Sequence, residues 1–418
     1  MPSDFRDHLF PLDHPRLSAF RSCDPYTYVD ALRRDPFVDK VLSGWMELFA
    51  SPEPFRGITT DGRPVPDLFV AGCDEGAEVK SAADAGLALL ETLGASERDR
   101  VLHPLDSRVW RAWMNPEMYL NRYGIRLEET GEDVRARVFE LIKACLSPAG
   151  YRKVRDVMTV NGFLGDLVGL PRLLNEHSYN INVFGTPSED GPWGWNLWGH
   201  HLAVNCLLIG GQQVLTPVFF GSEPNMIDRG ENAGLSLFGE QERAGLAFVR
   251  SLTGRQADQA VLYDRKRDPD MPAGRLHPGD ELHLGGAFQD NRVIPYEGII
   301  GTELNAAQQE SLLELVDLFL DYQPDRGRAA RRADARRHLA DTHFCWIGGR
   351  GDDDPFYFRV QSPVVLAELD HHAGVFLANT EPEKFHTHTL VRTPNGNDYG
   401  VELVRRATGA PQRLDGPA

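Results

Sequence analysis

The stretch EKFHTHTLVRTPNGNDYG, residues 383–400, places two histidines one residue apart in a run of Thr, Val and Leu that alternates like a β-strand. Successive side chains of a strand point to opposite faces of a sheet. One face is therefore predicted to carry Lys384, His386, His388, Leu390 and Arg392. Residues two apart on a strand stand about 7 Å apart, so the two imidazoles could bind one metal ion. The alternative is a pair of exposed strand histidines that make ordinary hydrogen bonds.

Runs with the same alternation lie elsewhere along the chain. From about residue 178, β-branched and aromatic residues alternate in YNINVFGTP, WGWNLWGHHLAVNCLLIG and QQVLTPVFFG. These runs predict successive strands, the last two joined by a hairpin at Gly210–Gly211. Nearer the C-terminus, short antiparallel strands are predicted by THFCWIGG, FYFRVQS, PVVLAELDHH and VFLAN, which complete the same sheet together with FHTHTLV.

The first 150 residues have helical periodicity instead. Apolar residues recur every three or four positions in DPYTYVDALRRDPFVDKVLSGWMELFA, KSAADAGLALLETLG, SERDRVLHPL and EDVRARVFELIKACLS. GEQERAGLAFVRSLT and NAAQQESLLELVDLFLDYQ return to this spacing after the first strands. The predicted fold is α+β: a largely antiparallel sheet carries the site, helices pack on the sheet, and a helical lobe forms the N-terminal part.

Three regions follow from these patterns. We expect a helical N-terminal lobe over residues 1–150, an α+β metal-site domain over 151–406 and a flexible tail over 407–418. Within the second region, residues 264–298 are rich in Pro, Gly and charge and have neither periodicity. A loop of this length in a compact domain is typically a lid or a mobile insertion.

The composition limits the class of partner. The formal charge is -17, from 44 basic and 61 acidic residues, which opposes binding to nucleic acid or anionic lipid. The N-terminal residues lack the pattern of a secretory signal, and no window of eighteen uninterrupted apolar residues occurs. Five scattered cysteines without a C-x-x-C pair are typical of a reducing compartment. We therefore expect a cytoplasmic protein whose partner is a small molecule.

A second pair of histidines lies in WGWNLWGHHLAVN. If this run is one continuous strand, His200 and His201 point to opposite faces, and only one of them can face the same cleft as the first pair. Both faces are apolar, so the alternation does not choose between them. A histidine in such a run is also commonly a hydrogen-bonded core residue, and metal coordination is the other way to satisfy it.

Two carboxylates follow the apolar residues of VVLAELDHH. Glu368 and Asp370 are predicted to share a strand face, where a buried carboxylate needs a cation, a donor or a metal. The alternative is a salt bridge from Glu368 to Arg359 or Arg392. His371 and His372 come next in the sequence and are predicted to lie in a turn, so they rank below the first pair as ligands.

Together these residues predict a metal site. The predicted ligands are His386, His388, one of His200 and His201, and Glu368. A set of imidazole and carboxylate without thiolate suits a divalent transition metal, with iron favoured and zinc, manganese or copper possible. Asp370 is the predicted base.

The predicted substrate-binding groups surround this site. Arg359 and Arg392 could hold an anionic group of the substrate. Trp193, Trp195 and Trp198 are expected to shield the site. Asp398 is expected to contact substrate, although it and Asn397 could equally build the turn in TPNGNDYG.

The expected function is metal-dependent catalysis on a small polar molecule, with oxidative chemistry at iron preferred. Zinc-dependent hydrolysis is one alternative, since a zinc-bound water is acidified to a pKa of about 7. A non-catalytic protein that binds a small molecule through its Arg and Trp residues is the other. The sequence does not indicate the substrate or the oligomeric state.

Several of these stretches together resemble a known family. FGTPSEDGPWGWNLWGHHLAVN, GIIGTELNAAQQESLLELV, HFCWIGG, DPFYFRVQSPVVLAELDH and HTHTLVRTPNGNDYG, in this order, are similar to the domain-of-unknown-function family number thirty-five hundred of bacterial and fungal proteins. The likeness covers about residues 100–405. It implies no activity, and it leaves a helical N-terminal extension and the His371–His372 pair as particular features of this chain. The motif positions that it implies are Trp193, Trp195, Gly199, His200, His201, Arg359, Pro363, Glu368, His386, His388, Arg392, Asp398 and Gly400.

Overall fold

A computed structural model of the chain describes residues 4–410 and 412–416. The α-helices of this described part are α1 Pro15–Ser18, α2 Pro25–Leu32, α3 Pro36–Ala50, α4 Val79–Thr92, α5 Ala95–Val101, α6 Glu132–Cys145, α7 Pro148–Val168, α8 Gly239–Ser251, α9 Gly254–Ala260, α10 Ala306–Leu318, α11 Asp325–Arg337 and α12 Val401–Thr408. Its strands are β1 Leu102–His103, β2 Ile125–Arg126, β3 Tyr179–Phe184, β4 Trp193–Gly199, β5 Leu202–Ile209, β6 Gln212–Val214, β7 Val218–Ser222, β8 Val261–Tyr263, β9 Ile299–Ile300, β10 His343–Gly348, β11 Phe356–Gln361, β12 Leu366–His372 and β13 Glu383–Arg392.

These strands form one mixed, mostly antiparallel sheet. Its order is β1-β3-β4-β5-β7-β13-β12-β11-β10-β8, with β2, β6 and β9 paired at the side of β3, β5 and β10. The parallel pairs are β1 with β3 and β10 with β8. The predicted α+β class with an antiparallel sheet and a helical N-terminal region is confirmed. None of the described helices has both the length and the apolar character needed to cross a membrane.

The strand β13 lies in the middle of the sheet, between β7 and β12. Thr387 Oγ1 donates to Glu242 Oε1 of α8 at 3.1 Å, so this side chain points to the helices, as the alternation predicts. His386 and His388 point to the other face. Lys384 is an exception, because its Nζ lies 3.6 Å from Glu242 Oε2, on the helix side. The pairing of β12 with β13 shifts register just before this point, and the shift breaks the alternation.

Each face of the sheet is covered by its own apolar core. Helices α4, α6, α7, α8 and α10 pack on one face, which we call the helix face. On the opposite face, which we call the site face, α3, α12 and the short 3₁₀ helix Arg108–Ala112 pack against side chains from β4, β5, β7 and β13. The molecule therefore has three layers, and strands buried on both faces form the middle one.

Three strand predictions are wrong. QQVLTPVFFG is two strands, β6 and β7, separated by residues 215–217. WGWNLWGHHLAVNCLLIG is two strands, β4 and β5, which pair from Gly199 with Leu202 through a turn at His200–His201. VFLAN forms no strand. The hairpin at Gly210–Gly211 is present, although it connects β5 to β6.

Part of the predicted flexible tail, residues 407–418, packs against the rest of the molecule. Residues 407–408 belong to α12. Leu414 is fully buried in the core of the site face, and Arg413 O accepts the backbone N–H of Phe55 at 3.2 Å. Residues 411, 417 and 418 lie outside the described residues.

Residues 264–298 have no strand or helix, as predicted, but much of this loop is buried. Lys266, Leu282, His283 and Asp290 are each at most 5% exposed. The segment lies across the site face, where it adds Ala287 and Phe288 to the core. It is therefore a packed wall of the molecule.

Candidate metal centre

A cavity of about 600 Å³ opens on the site face. Apolar side chains from the N-terminal region, among them Leu17, Leu42 and Trp45, form one wall. The opposite wall is histidine-rich: His200, His201, His372, His386 and His388. The volume is within the range of roughly 300–1,000 Å³ that is typical of small-molecule sites.

Three of these histidines form the cavity set: His201, His386 and His388. Each offers one ring nitrogen, and the three nitrogens lie within 4.8 Å of one another. His386 Nε2 is 3.1 Å from His388 Nε2. Nitrogens bound to one ion at about 2.0–2.1 Å stand roughly 3.4 Å apart in tetrahedral geometry, so small side-chain shifts would complete a site.

The backbone orients each member of the cavity set. His386 and His388 share the site face of β13, and His386 Nδ1 lies 2.8 Å from the carbonyl oxygen of Ala373. An Nδ1–H donated to that carbonyl leaves Nε2 as the ligand atom, which is the usual arrangement around metal-bound histidines.

His201 occupies the β4–β5 turn with a φ of +59°. Its N–H donates to Asn115 O at 2.8 Å, and its carbonyl accepts the Gly221 N–H at 2.7 Å. Gly221 also gives the rings room, since a Cβ there would be 2.7 Å from His388 Cδ2. Left-handed backbone at a non-glycine residue is uncommon and concentrates at functional sites.

His200, the other member of the turn, is not in the cavity set. Its ring stacks on that of His201 at 3.8 Å between centroids, and its Nδ1 is 2.7 Å from Asn161 Oδ1. Because the two residues form a turn, both rings lie at the cavity, and the predicted choice between opposite strand faces does not arise.

A second group shares one member with the first. His283, His372 and His388, which we call the inner set, also offer ring nitrogens within 4.8 Å of one another. His372 lies at the end of β12 and not in the predicted turn. His283 comes from the 264–298 loop, and no feature of that loop led us to expect it. The signal available was ELHLGG, a single histidine between two leucines, which has too little periodicity to be recognised.

Burial keeps most of these imidazoles neutral. It lowers the pKa of His201, His372 and His388 well below the ordinary value, and neighbouring histidines lower each further. Burial lowers the pKa of His200 to about 3. Burial opposes charge on His283 too, but the bond to Glu368 outweighs it and raises the pKa of His283. Neutral imidazoles have the free lone pair that a metal requires.

The predicted carboxylate ligand Glu368 is held by other partners. It accepts the N–H groups of Leu284 at 2.9 Å and Gly285 at 3.0 Å, and the Tyr357 hydroxyl at 2.7 Å. His283 Nδ1 is 3.4 Å away. Burial alone would raise the pKa of Glu368, but these partners hold it below the ordinary value. This carboxylate anchors the loop to β12.

Asp370, the predicted base, is likewise bound by residues of the 264–298 loop. It pairs with Lys266 Nζ and accepts the N–H of Leu282 at 2.9 Å. Both carboxylates therefore bind the 264–298 loop, and neither lines the cavity.

Five further residues expected to bind substrate also lie away from the cavity. Arg359 pairs with Glu297 at 2.8 Å, and Arg392 pairs with Asp290 and Asp398 at 2.8 Å and 3.1 Å. The two tryptophans proposed as substrate contacts pack in the core of the helix face. The cavity lining therefore contains none of the five residues Arg359, Arg392, Asp398, Trp193 and Trp195.

Two carboxylates that were not predicted do line the cavity. Glu281 accepts the Ala373 N–H at 2.9 Å through Oε1, while its Oε2 is buried without a hydrogen-bond partner in the described structure. Glu117 accepts the Tyr28 hydroxyl at 2.7 Å. Burial raises the pKa of Glu117 above its ordinary value. Both lie in stretches without regular periodicity, so alternation could not place them.

Comparison with known proteins identifies the family of the chain but does not assign an activity to it. The family model described as "Protein of unknown function (DUF3500)" matches residues 75–401. No curated protein and no solved structure matches the chain. The matched segment includes every histidine of the two sets, whereas α1, α2 and α3 precede it.

Proposed function

Because the chain belongs to the DUF3500 family, whose function is unknown, we propose a function from the site: a metal-dependent enzyme that oxidises a small polar molecule. Iron is the proposed metal, held by His201, His386 and His388. Dioxygen is the proposed electron acceptor. A cytoplasmic location is part of the proposal, because all five cysteines are free.

One observation carries this proposal. Three imidazoles with ring nitrogens within 4.8 Å of one another face a cavity of about 600 Å³, although each is more than 90% buried. Three buried imidazoles that each turn one ring nitrogen toward the other two form a ready set of ligands, and a metal ion is a partner that all three can share.

The donor set narrows the choice of metal. With Glu368 held by the loop, the site has imidazole ligands only, which suits iron, copper and zinc and disfavours manganese. Three ligands leave coordination positions open for substrate and dioxygen. An enclosed site of this kind excludes bulk water from reactive intermediates, which favours oxidative chemistry.

The chain itself supplies proton-transfer groups. Glu281, with its unpartnered Oε2, can accept a proton from the substrate, and Glu117, whose pKa is raised, can donate one. Arg16 and Arg267 also line the cavity and can attract an anionic group of the substrate.

Metal analysis with oxygen uptake tests the proposal. Protein purified without oxygen should contain iron and should consume dioxygen with some members of a panel of small polar metabolites. His386→Ala should lose the cavity metal and all uptake. His343→Ala is the matched control, because His343 lies on β10 outside both sets. If the protein contains zinc in place of iron and consumes no dioxygen after reloading with iron or copper, the oxidative proposal is wrong.

Zinc-dependent hydrolysis is the second candidate, and Glu281 favours it. A three-histidine zinc site with one open position acidifies its bound water. The unpartnered Oε2 of Glu281 would act as the base for that water. Hydrolysis of ester or amide substrates by the zinc protein, lost in Glu281→Gln with zinc retained, would establish this candidate in place of the first.

A further inference from the structure

The inner set has buried ring nitrogens that form no hydrogen bond within the described part of the chain. His283, His372 and His388 are 2%, 4% and 3% exposed. In each, one buried ring nitrogen lacks a hydrogen-bond partner in the described structure: His283 Nε2, His372 Nε2 and His388 Nδ1. Orphaned buried nitrogens are rare in native proteins, and three in one cluster indicate a shared partner.

The groups around the inner set are those of a cation site. Glu368 Oε2 is 3.4 Å from His283 Nδ1, and Asp370 Oδ2 is 3.2 Å from His372 Nε2. Glu368 faces Nδ1 of His283, the nitrogen opposite the orphaned one, and a carboxylate in that position is the common outer partner of a metal-bound histidine. Asp370 faces the orphaned Nε2 of His372 itself, so it is a neighbouring oxygen donor and not an outer partner. Glu368 also supplies negative charge to balance a buried cation, whereas Asp370 is already paired with Lys266.

The orientation of His388 separates the two sets. Its Nε2 faces His386 Nε2 at 3.1 Å in the cavity set, whereas its Nδ1 is one of the orphaned nitrogens. The two nitrogens of an imidazole point away from each other, so a ring that has lost its remaining N–H proton to solvent, an imidazolate, can contact two ions.

We propose that His283, His372 and His388 hold a second divalent transition-metal ion, next to the ion of the cavity set. His388 contributes Nδ1 to this inner ion and Nε2 to the cavity ion. The shared use of His388 rests on the function proposed above, whereas the inner ion itself does not. A set of three imidazoles, with the Glu368 carboxylate behind His283, suits zinc or copper.

The competing state has a proton in place of the ion. His283 would then be an imidazolium paired with Glu368, and His372 and His388 would remain neutral neighbours. That state binds no metal at the inner set, so counting metal ions distinguishes the two.

Zinc binding to the metal-stripped full chain tests the inference. After dialysis against Zn²⁺, the wild type should retain two equivalents, and His372→Ala and His386→Ala should retain one each. His388→Ala should lose both, and His343→Ala should keep two. Circular dichroism checks each fold; if His372→Ala does not fold, His283→Gln replaces it, since that variant leaves the backbone bonds to Glu368 intact.

The results separate this inference from the proposed function. One equivalent that is lost in His386→Ala and kept in His372→Ala overturns the inner ion and leaves the cavity site. One equivalent lost only in His372→Ala supports the inner ion and overturns the cavity site. No bound zinc overturns both. With Cu²⁺ in both sites, paramagnetic resonance should detect two coupled ions in the wild type and one isolated ion in His372→Ala.

Discussion

The sequence predicted that Arg392 binds substrate, on the same strand face as the histidines, but its contacts in the structure indicate another role. It does share that face, but it is fully buried. Its Nε donates to Gly285 O at 2.7 Å and its Nη2 to Gly286 O at 2.8 Å, while Nη1 pairs with Asp290 and Asp398. Its role is therefore to hold the 264–298 loop and the turn after β13.

We expect Arg392→Ala to destabilise the protein. Removing Arg392 leaves Asp398 without its cation, whereas Asp290 keeps Arg111 at 3.0 Å. Breaking a buried ion pair by removing one partner costs about 3–5 kcal/mol. The free energy of unfolding in urea measures this. Arg137→Ala is the control, because Arg137 is paired with Glu140 at the surface and such pairs contribute at most about 1 kcal/mol. Equal stability of the two variants would mean that Arg392 does not support the loop.

Glu117 provides a prediction about pH. Its folded pKa is raised, mainly by burial. As the pH rises above the unfolded value, the unfolded chain ionises first, so the stability that protonated Glu117 contributes is present at low pH and is lost as the pH passes through the folded pKa.

Glu117→Gln should therefore be more stable than the wild type at pH 7.5, and the difference should shrink toward pH 4. The glutamine oxygen can still accept the Tyr28 hydroxyl, which limits other effects. Thermal unfolding of both proteins across this range is the measurement. A difference that does not vary with pH would contradict a raised pKa at Glu117.

The alternation of β13 was predictable, because a strand buried on both faces must keep its register. The division of WGWNLWGHHLAVNCLLIG into the β4–β5 hairpin was not predictable from the sequence. The turn residues are His200 and His201, and neither is a usual signal for a two-residue turn, which favours Asn-Gly or Asp-Gly. His201 adopts the left-handed conformation that glycine usually adopts, so the local sequence did not indicate a turn at this position.

The buried path of the 264–298 loop could not be predicted from the sequence either, for a different reason. Its buried path depends on β12, where Glu368 and Asp370 accept backbone N–H groups of the loop from 83 to 88 residues away in the chain. Such bonds depend on non-local contacts and leave no local pattern. The prediction of Glu368 as a buried carboxylate that needs partners was sound, but the partners are N–H groups.

We therefore expect Glu368→Gln to loosen the loop without removing the cavity metal. Leu284 and Gly285 donate to different oxygens of Glu368, and the amide nitrogen that replaces one of these oxygens cannot accept an N–H. One of the two donors is therefore left unsatisfied, which costs about 1–3 kcal/mol. Hydrogen exchange of residues 280–290 should speed up, while metal bound by the cavity set is retained. Exposed Glu303 gives the control Glu303→Gln. Loss of the cavity metal with unchanged exchange would show that Glu368 is a ligand after all.

At the scale of the whole molecule, the cavity joins two parts of the chain. The histidine wall lies on the central sheet, within the residues that match the family. The facing wall comes largely from α1, α2 and α3, which precede the matched residues. The proposed metal ligands and much of the facing wall thus reside in different segments. If the proposed function holds, substrate choice can vary with the N-terminal helices while the metal ligands stay the same.

Arg16, at the cavity wall in α1, tests this division. If it attracts an anionic group, small carboxylic acids that raise the melting temperature of the wild type should raise that of Arg16→Ala much less, because ligand stabilisation follows the logarithm of affinity. Metal content should not change, since Arg16 belongs to neither set and an arginine side chain, which stays protonated, offers no lone pair to a metal. Arg34→Ala is the control, because Arg34 is exposed and outside the cavity wall. An equal ligand-induced shift in both variants would mean that the N-terminal helices only cover the cavity and that substrate recognition belongs to Arg267 on the packed loop.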